Sequence, residues 1–183
     1  MTQVGTKSRF KAKLLRPLQP GSDTSWTFVT LPKDASEKLP RRGRTTVDGS
    51  MNGHSFRATL EPNGQLSHWL RVSRELREAA GADIGDDVVM EITPVEQEPE
   101  PDIPSDLLAA LTAHPDARTA WDSTTTIARL DWIHWITSAK HSKTRTQRIS
   151  NACDMLAAGK KRVCCFDPSG YYSKAFSAPE AAD

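Results

Sequence analysis

The sequence predicts an α+β chain, with a small, internally duplicated β-barrel first and a small helical bundle after it. Three observations predict this. Up to about residue 92, apolar side chains fall on alternate positions between marked turns. A strand–corner–turn unit occurs twice within that stretch. A Pro- and Glu-rich segment then ends the alternation, and the apolar spacing beyond it is helical.

The strands follow in order. Phe10, Ala12 and Leu14 mark the first, and Trp26 with Phe28, or Val29 with Leu31, the second. His54, Phe56, Ala58 and Leu60 share one face of a third, opposite Arg57 and Glu61. Leu66, His68, Leu70 and Val72 mark a fourth, and Val88, Met90 and Ile92 a fifth. Pro20-Gly21, Asn52-Gly53 and Pro62-Asn63-Gly64 supply turns, because Asn and Gly tolerate the left-handed backbone that hairpins need. Many short strands with polar outer faces imply closure, which removes edges that would otherwise aggregate.

The duplication appears when FVTLPKDASEKLPRRG is set beside WLRVSRELREAAGADIG. Phe28 aligns with Trp69, Leu31 with Val72, Pro32-Lys33 with Ser73-Arg74, Ala35 with Leu76 and Leu39 with Ala80. With one extra residue, Gly43 aligns with Gly85. Pro32 suits a first helical turn, and Ser73 can cap the second short helix. Both halves of the barrel therefore lie in residues 7–93 of one polypeptide.

Residues 94–104 form a linker. Pro94, Pro99, Pro101 and Pro104 deny it helix and sheet, and Glu96, Glu98, Glu100 and Asp102 keep it solvated. A helical region over 105–163 follows. Ser105 is the expected cap of its first helix, which His114-Pro115 ends. Asp122-Ser123 is the expected start of a helix carrying Leu130, Ile133 and Ile136, flanked by Trp132 and Trp135. Ser142 is the expected cap of the last helix, which buries Ile149, Cys153 and Leu156 and stops at Gly159. Residues 164–183, rich in Ser, Gly and Ala, are expected to be loosely held.

Charge and cysteines bound the function. The net charge is +1, so no global drive toward nucleic acid or an anionic membrane exists. Residues 1–92 carry 14 basic and 11 acidic groups, while residues 140–162 hold seven bases against Asp154 alone. Cys153, Cys164 and Cys165 are odd in number and lack zinc-ligand spacing, so reduced thiols are expected. No apolar run reaches the roughly 20 residues of a spanning helix. The N-terminus lacks the apolar core of a signal peptide, so a cytoplasmic location is expected.

The paired strand–corner–turn units resemble the double-split barrels of AbrB/MazE/MraZ-type transcription factors. That resemblance implies DNA contact through Arg41, Arg42, Arg44, Arg57, Arg71 and Arg74, among which Glu37, Glu61, Glu75, Glu78, Asp86 and Asp87 dilute the attraction. In the helical region, Trp121-Asp122, Trp135-Ile136, Ala139-Lys140, Thr144-Arg145, Arg148-Ile149, Met155-Leu156 and Gly159-Lys160 form a spaced pattern. It is similar to the YdeI/OmpD-associated proteins, also called bacteriocin-protection proteins, many of which carry an uncharacterised barrel in front. The resemblance spans roughly residues 8 to 162. It implies a role in tolerating envelope-active peptides.

Seven residues are candidate ligand or anion contacts: Arg57, His68, Trp69, Arg71, Lys140, Arg145 and Arg148. Lys140, Lys143, Arg145 and Arg148 surround a helix start, where anions are favoured, or form a solvated face paired with the acidic linker. His54 and His68 share the inward phase of neighbouring strands, as a possible metal pair lacking a third ligand or as core histidines. Trp69 and Arg71 lie on the outward phase, as an aromatic-plus-cation patch or as packing under the helical region. No nucleophile triad and no phosphate-binding glycine loop is present, so no enzyme, cofactor or metal is expected. The expected function is a non-enzymatic binding or stress-tolerance protein with a protein or small-molecule partner, as a monomer or weak homodimer. The alternatives are a nucleic-acid-binding regulator, or a small-molecule binder or hydrolase with a pocket where the domains join.

Overall fold

Alternation in the first half becomes six strands and two short helices in the computed structural model, which describes residues 6–164 and 166–182. The order is β1 (Ser8–Lys13), β2 (Thr27–Thr30), α1 (Lys33–Glu37), β3 (Thr45–Met51), β4 (His54–Pro62), β5 (His68–Val72), α2 (Arg74–Ala79) and β6 (Asp87–Pro94). Four helices follow: α3 (Ser105–Ala113), α4 (Pro115–Ser123), α5 (Thr126–Thr137) and α6 (Ser142–Ala157). The chain divides into two compact units. One comprises the residues up to Gln97 together with those from Ser169 onward, and the other is Glu98–Pro168.

The barrel sheet runs β1-β6-β3-β4-β5-β2 with antiparallel neighbours, and a bridge between Leu15 and Phe28 brings its ends together. The internal duplication explains this order. Exchanging β1 with β4, β2 with β5 and β3 with β6 carries the β1–β6 ladder onto β4–β3. It also carries the closing pair Leu15–Phe28 onto Glu61–Trp69. Pro32 and Ser73, aligned in the two copies, are the N-cap residues of α1 and α2. Ser73 Oγ accepts from the Leu76 N–H at 3.2 Å, as a capping serine should. One chain thus supplies both halves.

The inward phases of the expected strands meet, joined by that of β3, which lies outside the five strands expected. Val29, Val47, Met51, Leu60, Leu70, Val72, Val88, Met90 and Ile92 form one core. Two expectations fail locally. Leu66 lies outside β5, in the turn, with φ 64°. His54 is exposed at the β3–β4 turn, while His68 is fully buried in β5, so the two histidines do not face each other.

In the helical unit, Trp121 and Trp132 are almost wholly buried among Leu107, Leu111, Ile136 and Leu156. Each buried indole contributes on the order of 4 kcal/mol through the area it removes from water. The helix starts differ from expectation by one to a few residues. Pro104 is the N-cap of α3 and His141 that of α6, so Ser105 and Ser142 are first helical residues rather than caps. Asp122-Ser123 closes α4, and Thr125 caps α5 by accepting from Ala128 N–H at 3.1 Å. Gly159, at φ 92°, ends α6: its own N–H bonds the Leu156 carbonyl, and Lys160 N–H bonds that of Met155.

The linker is tied down at Glu100. Arg129 of α5 donates to both its carboxylate oxygens, at 2.5 and 2.9 Å, and Thr126 adds a hydroxyl at 3.0 Å. Glu100 of the acidic segment therefore finds its partner in Arg129, not in the basic start of α6. The segment after Ser169, expected to be loose, belongs to the barrel unit: Pro17 pairs with Ala181. Main-chain bonds hold it, so its small side chains gave no sign of order. Of the C-terminal cysteines, Cys165 lies outside the described residues.

Candidate functional site

The period of two in β5 decides where its residues go. His68, Leu70 and Val72 point inward, while Trp69 and Arg71 point out. On that outer side Trp69 meets Phe28 edge-on, with ring centroids 6.2 Å apart and planes at 83°. Trp26 lies 6.3 Å from Trp69 and 6.4 Å from Phe28. Phe28 is 1% exposed yet lies outside the barrel's core cluster, so this is a separate aromatic layer. The Arg71 guanidinium sits 4.4 Å over the Trp26 ring and reaches Asp23 at 3.4 Å. Trp26 is fixed from below by donating its Nε1–H to the Pro20 carbonyl at 2.9 Å. Hydrogen bonds from Ser25, helped by Arg71, hold the Asp23 carboxyl below its ordinary pKa.

Sequence reasoning singled out Trp69 and Arg71 but not Trp26, Phe28 or Asp23 as their neighbours. The duplication contained the clue. Phe28 and Trp69 are equivalent positions, and β2 pairs with β5, so the two equivalents become diagonal neighbours across one ladder.

His68 occupies a different environment. Both ring nitrogens are used internally: Nε2 lies 2.8 Å from the Gly43 carbonyl and Nδ1 2.7 Å from Ser36 Oγ. A carbonyl only accepts, so Nε2 carries the hydrogen and Nδ1 accepts from the Ser36 hydroxyl. Burial pushes the His68 pKa down to about 4, with Arg42 and Arg41 adding to the effect. A sealed, saturated imidazole is a core element, not a surface contact.

The arginines named for DNA contact are engaged within the fold. Arg42 donates to the carbonyls of Ser36 at 2.7 Å, Leu39 at 3.1 Å and Leu66 at 3.4 Å. Arg41 donates to the Arg44 carbonyl, and Arg44 pairs with Glu61 at 2.9 Å. Arg57 forks onto Asp48 at 2.6 and 2.9 Å, and Arg74 pairs with Glu78 at 2.8 Å.

In the helical unit, Arg145 and Arg148 do not form one anion cradle. Arg145 forks onto Asp106 at 2.7 and 3.1 Å and fastens α6 to the start of α3. That bond lowers the Asp106 pKa and raises that of Arg145. Arg148 donates to the Trp135 carbonyl at 2.5 Å and to Ser138 Oγ at 3.2 Å, and lies 5.5 Å from the centre of the Trp135 ring. A cation is well placed there, at the C-terminal end of α5. Lys140 and Lys143 are exposed. Among the described residues no three His, Cys, Asp or Glu side chains gather as metal ligands. No helix among them is long and apolar enough to cross a membrane.

Comparison with known proteins matches this two-part layout. Residues 100–159 match the family described as Bacteriocin-protection, YdeI or OmpD-Associated. Residues 10–92 match a domain of unknown function, DUF1905. No curated protein matches the chain. The first match begins at Glu100, the residue clipped to α5, and the second spans the barrel from β1 to β6. The helical region, residues 100–159, is thus similar to the YdeI/OmpD-associated family, and the barrel in front of it to the DUF1905 domain.

Proposed function

We propose that this protein works by binding rather than by catalysis, as a stress-tolerance factor that uses the aromatic face of its barrel as a contact surface. One observation carries the reading. Trp26, Phe28 and Trp69 form a packed layer outside the core, with Arg71 laid over its rim and Trp69 only half-buried. Aromatic groups already held rigid lose little entropy on binding. Such a surface suits a peptide carrying an apolar side chain, since Arg71 at its rim is already paired with Asp23. The family description, bacteriocin protection, is compatible with a peptide ligand. Cytoplasmic residence belongs to the same reading and is checked by fractionating cells that make the protein.

The nucleic-acid alternative is weaker because its candidate arginines already face carboxylates or carbonyls in place. Phosphate binding requires a local surplus of positive charge. Calorimetric titration of the full chain separates the two readings. A membrane-active antimicrobial peptide should bind saturably, and Trp69→Ala should weaken it at least about tenfold, or roughly 1.4 kcal/mol. Random duplex DNA should give no heat at about 50 mM salt. Tight DNA binding that weakens steeply toward about 200 mM salt, with no response to the peptide, would reverse the ranking.

A further inference from the structure

The two copies in the barrel differ most where β1 connects to β2. In the second copy, β4 passes to β5 through the short turn at residues 63–67; in the first, the corresponding connection is the longer stretch 14–26. The start of that longer stretch is a strand edge. Leu15 uses both its N–H and its C=O on Phe28, at 2.9 and 2.8 Å. The next groups alternate in direction, so the Arg16 carbonyl and the Leu18 N–H face away from β2. Pro17, without an N–H, ends the pairing on the β2 side.

The outward-facing groups are taken by the chain's own C-terminal segment. Ala182 N–H bonds the Arg16 carbonyl at 2.8 Å, Leu18 N–H bonds the Glu180 carbonyl at 2.7 Å, and Pro17 pairs with Ala181. A second, independent anchor sits a few residues earlier. The Phe176 carbonyl would lie 2.0 Å from a Cβ on Gly64, and its side chain 2.5 Å from a Cβ on Gly170. Both glycines have left-handed backbone, at φ +76° and +69°, so any side chain there would be strained as well as crowded. Phe176 thus sets its carbonyl against Gly64 of the barrel and its ring against Gly170 of its own segment, beside an open groove lined by Gly64 and Gln65 on the barrel side and by Tyr171, Tyr172 and Lys174 on the segment's.

We propose that Arg16–Leu18 and the Gly64 turn together form a strand-addition site for an extended peptide, which the intact chain fills in cis with residues 176–182. Main-chain bonds would provide affinity, as is usual when a peptide adds to a sheet edge, and the Phe176 ring, packed on the peptide's own Gly170, would hold the peptide in the form that bonds. The ligand class is an aromatic residue followed by small residues, with Pro where no sheet bond is needed, as in FSAPEAA. This site is distinct from the Trp69 face and does not depend on that face binding anything. Because a covalently attached segment has an effective concentration on the order of millimolar, a site of micromolar affinity would be almost fully occupied in the intact chain.

The test uses the full chain with a protease recognition sequence inserted between Pro168 and Ser169. It compares cut and uncut protein against a fluorescent synthetic peptide of residues 169–183. The cut chain should exchange its own segment for the probe saturably, and the uncut chain should bind it at least about tenfold more weakly. The Phe176→Ala probe should lose at least about tenfold. Equal binding by cut and uncut protein overturns the proposal. So does a cut chain of unchanged circular dichroism that sheds its segment on gel filtration and ignores the probe. Hydrogen exchange on the uncut chain gives an answer even if cutting unfolds it. The Leu18 and Ala182 amides should be protected in the native sequence and should quicken together in Phe176→Ala. A Leu18 amide that stays protected in that variant refutes the assignment.

Discussion

His68 ties its strand to the loop before β3 because both of its nitrogens are spoken for in the neutral form. Protonation at Nδ1 would turn the acceptor for Ser36 into a donor and place a charge in a desolvated site near Arg42. The folded pKa, about 4, lies below the ordinary value of 6.5, so between those values the unfolded chain binds more protons. Stability from this residue is therefore complete above about pH 6.5 and declines as pH falls toward 4. The loss approaches about 3 kcal/mol at most. The carboxylates of Asp48, Asp106 and Glu100 have lowered pKa values, so their contributions fade only below the usual carboxylate range. Urea unfolding at pH 7, 5.5 and 4.5 should show the decline, and His68→Asn should flatten it while lowering stability at pH 7. An equally steep decline in the variant would assign the effect to other groups. The inward phase of His68 was legible in the sequence. Ser36, 32 residues upstream, and the Gly43 carbonyl were not, because no local spacing links them to it.

At the level of elements, local rules named the stops better than the starts. Gly159 was identifiable because a left-handed residue after the last apolar position of α6 is the common way to end a helix. Ser105, Asp122 and Ser142 were plausible caps by type, yet the starts fell at Pro104, Thr125 and His141. Short polar residues are abundant near every helix start, and packing chooses among them. Replacing Ser73 by Ala removes the acceptor for Leu76 N–H and should lower the barrel's stability by about 1 kcal/mol. Arg145→Ala should cost less than about 1 kcal/mol, since Asp106 is 45% exposed and water can replace the guanidinium. Denaturant midpoints at unchanged slope would measure both; an Arg145→Ala loss as large as that expected for removing a core tryptophan would contradict the account.

For the whole molecule, the decisive feature is that one chain contains both copies of the strand–helix–strand unit. The exchange of β1 with β4, β2 with β5 and β3 with β6 leaves the ladder order unchanged, so closure needs no second subunit. The midpoint of barrel unfolding should then be independent of protein concentration over roughly a hundredfold range. A barrel completed by a partner would instead become more stable as concentration rises. Light scattering alongside the melts would separate weak self-association of native molecules from obligate pairing.

By itself the sequence determined the two-part division, the alternation that makes a barrel, the duplication that closes it and the likeness of the helical region to the YdeI/OmpD-associated family, because all four are written in periodicity, punctuation and spaced motifs. Tertiary structure alone decided which charges are spent on partners, which histidine is sealed, that Trp26 and Phe28 join Trp69, and that the C-terminal segment returns to Arg16–Leu18. The physical reason is the same in each case. These outcomes depend on main-chain bonds and side-chain meetings between residues tens of positions apart, and no pattern of neighbouring residues encodes such a distance.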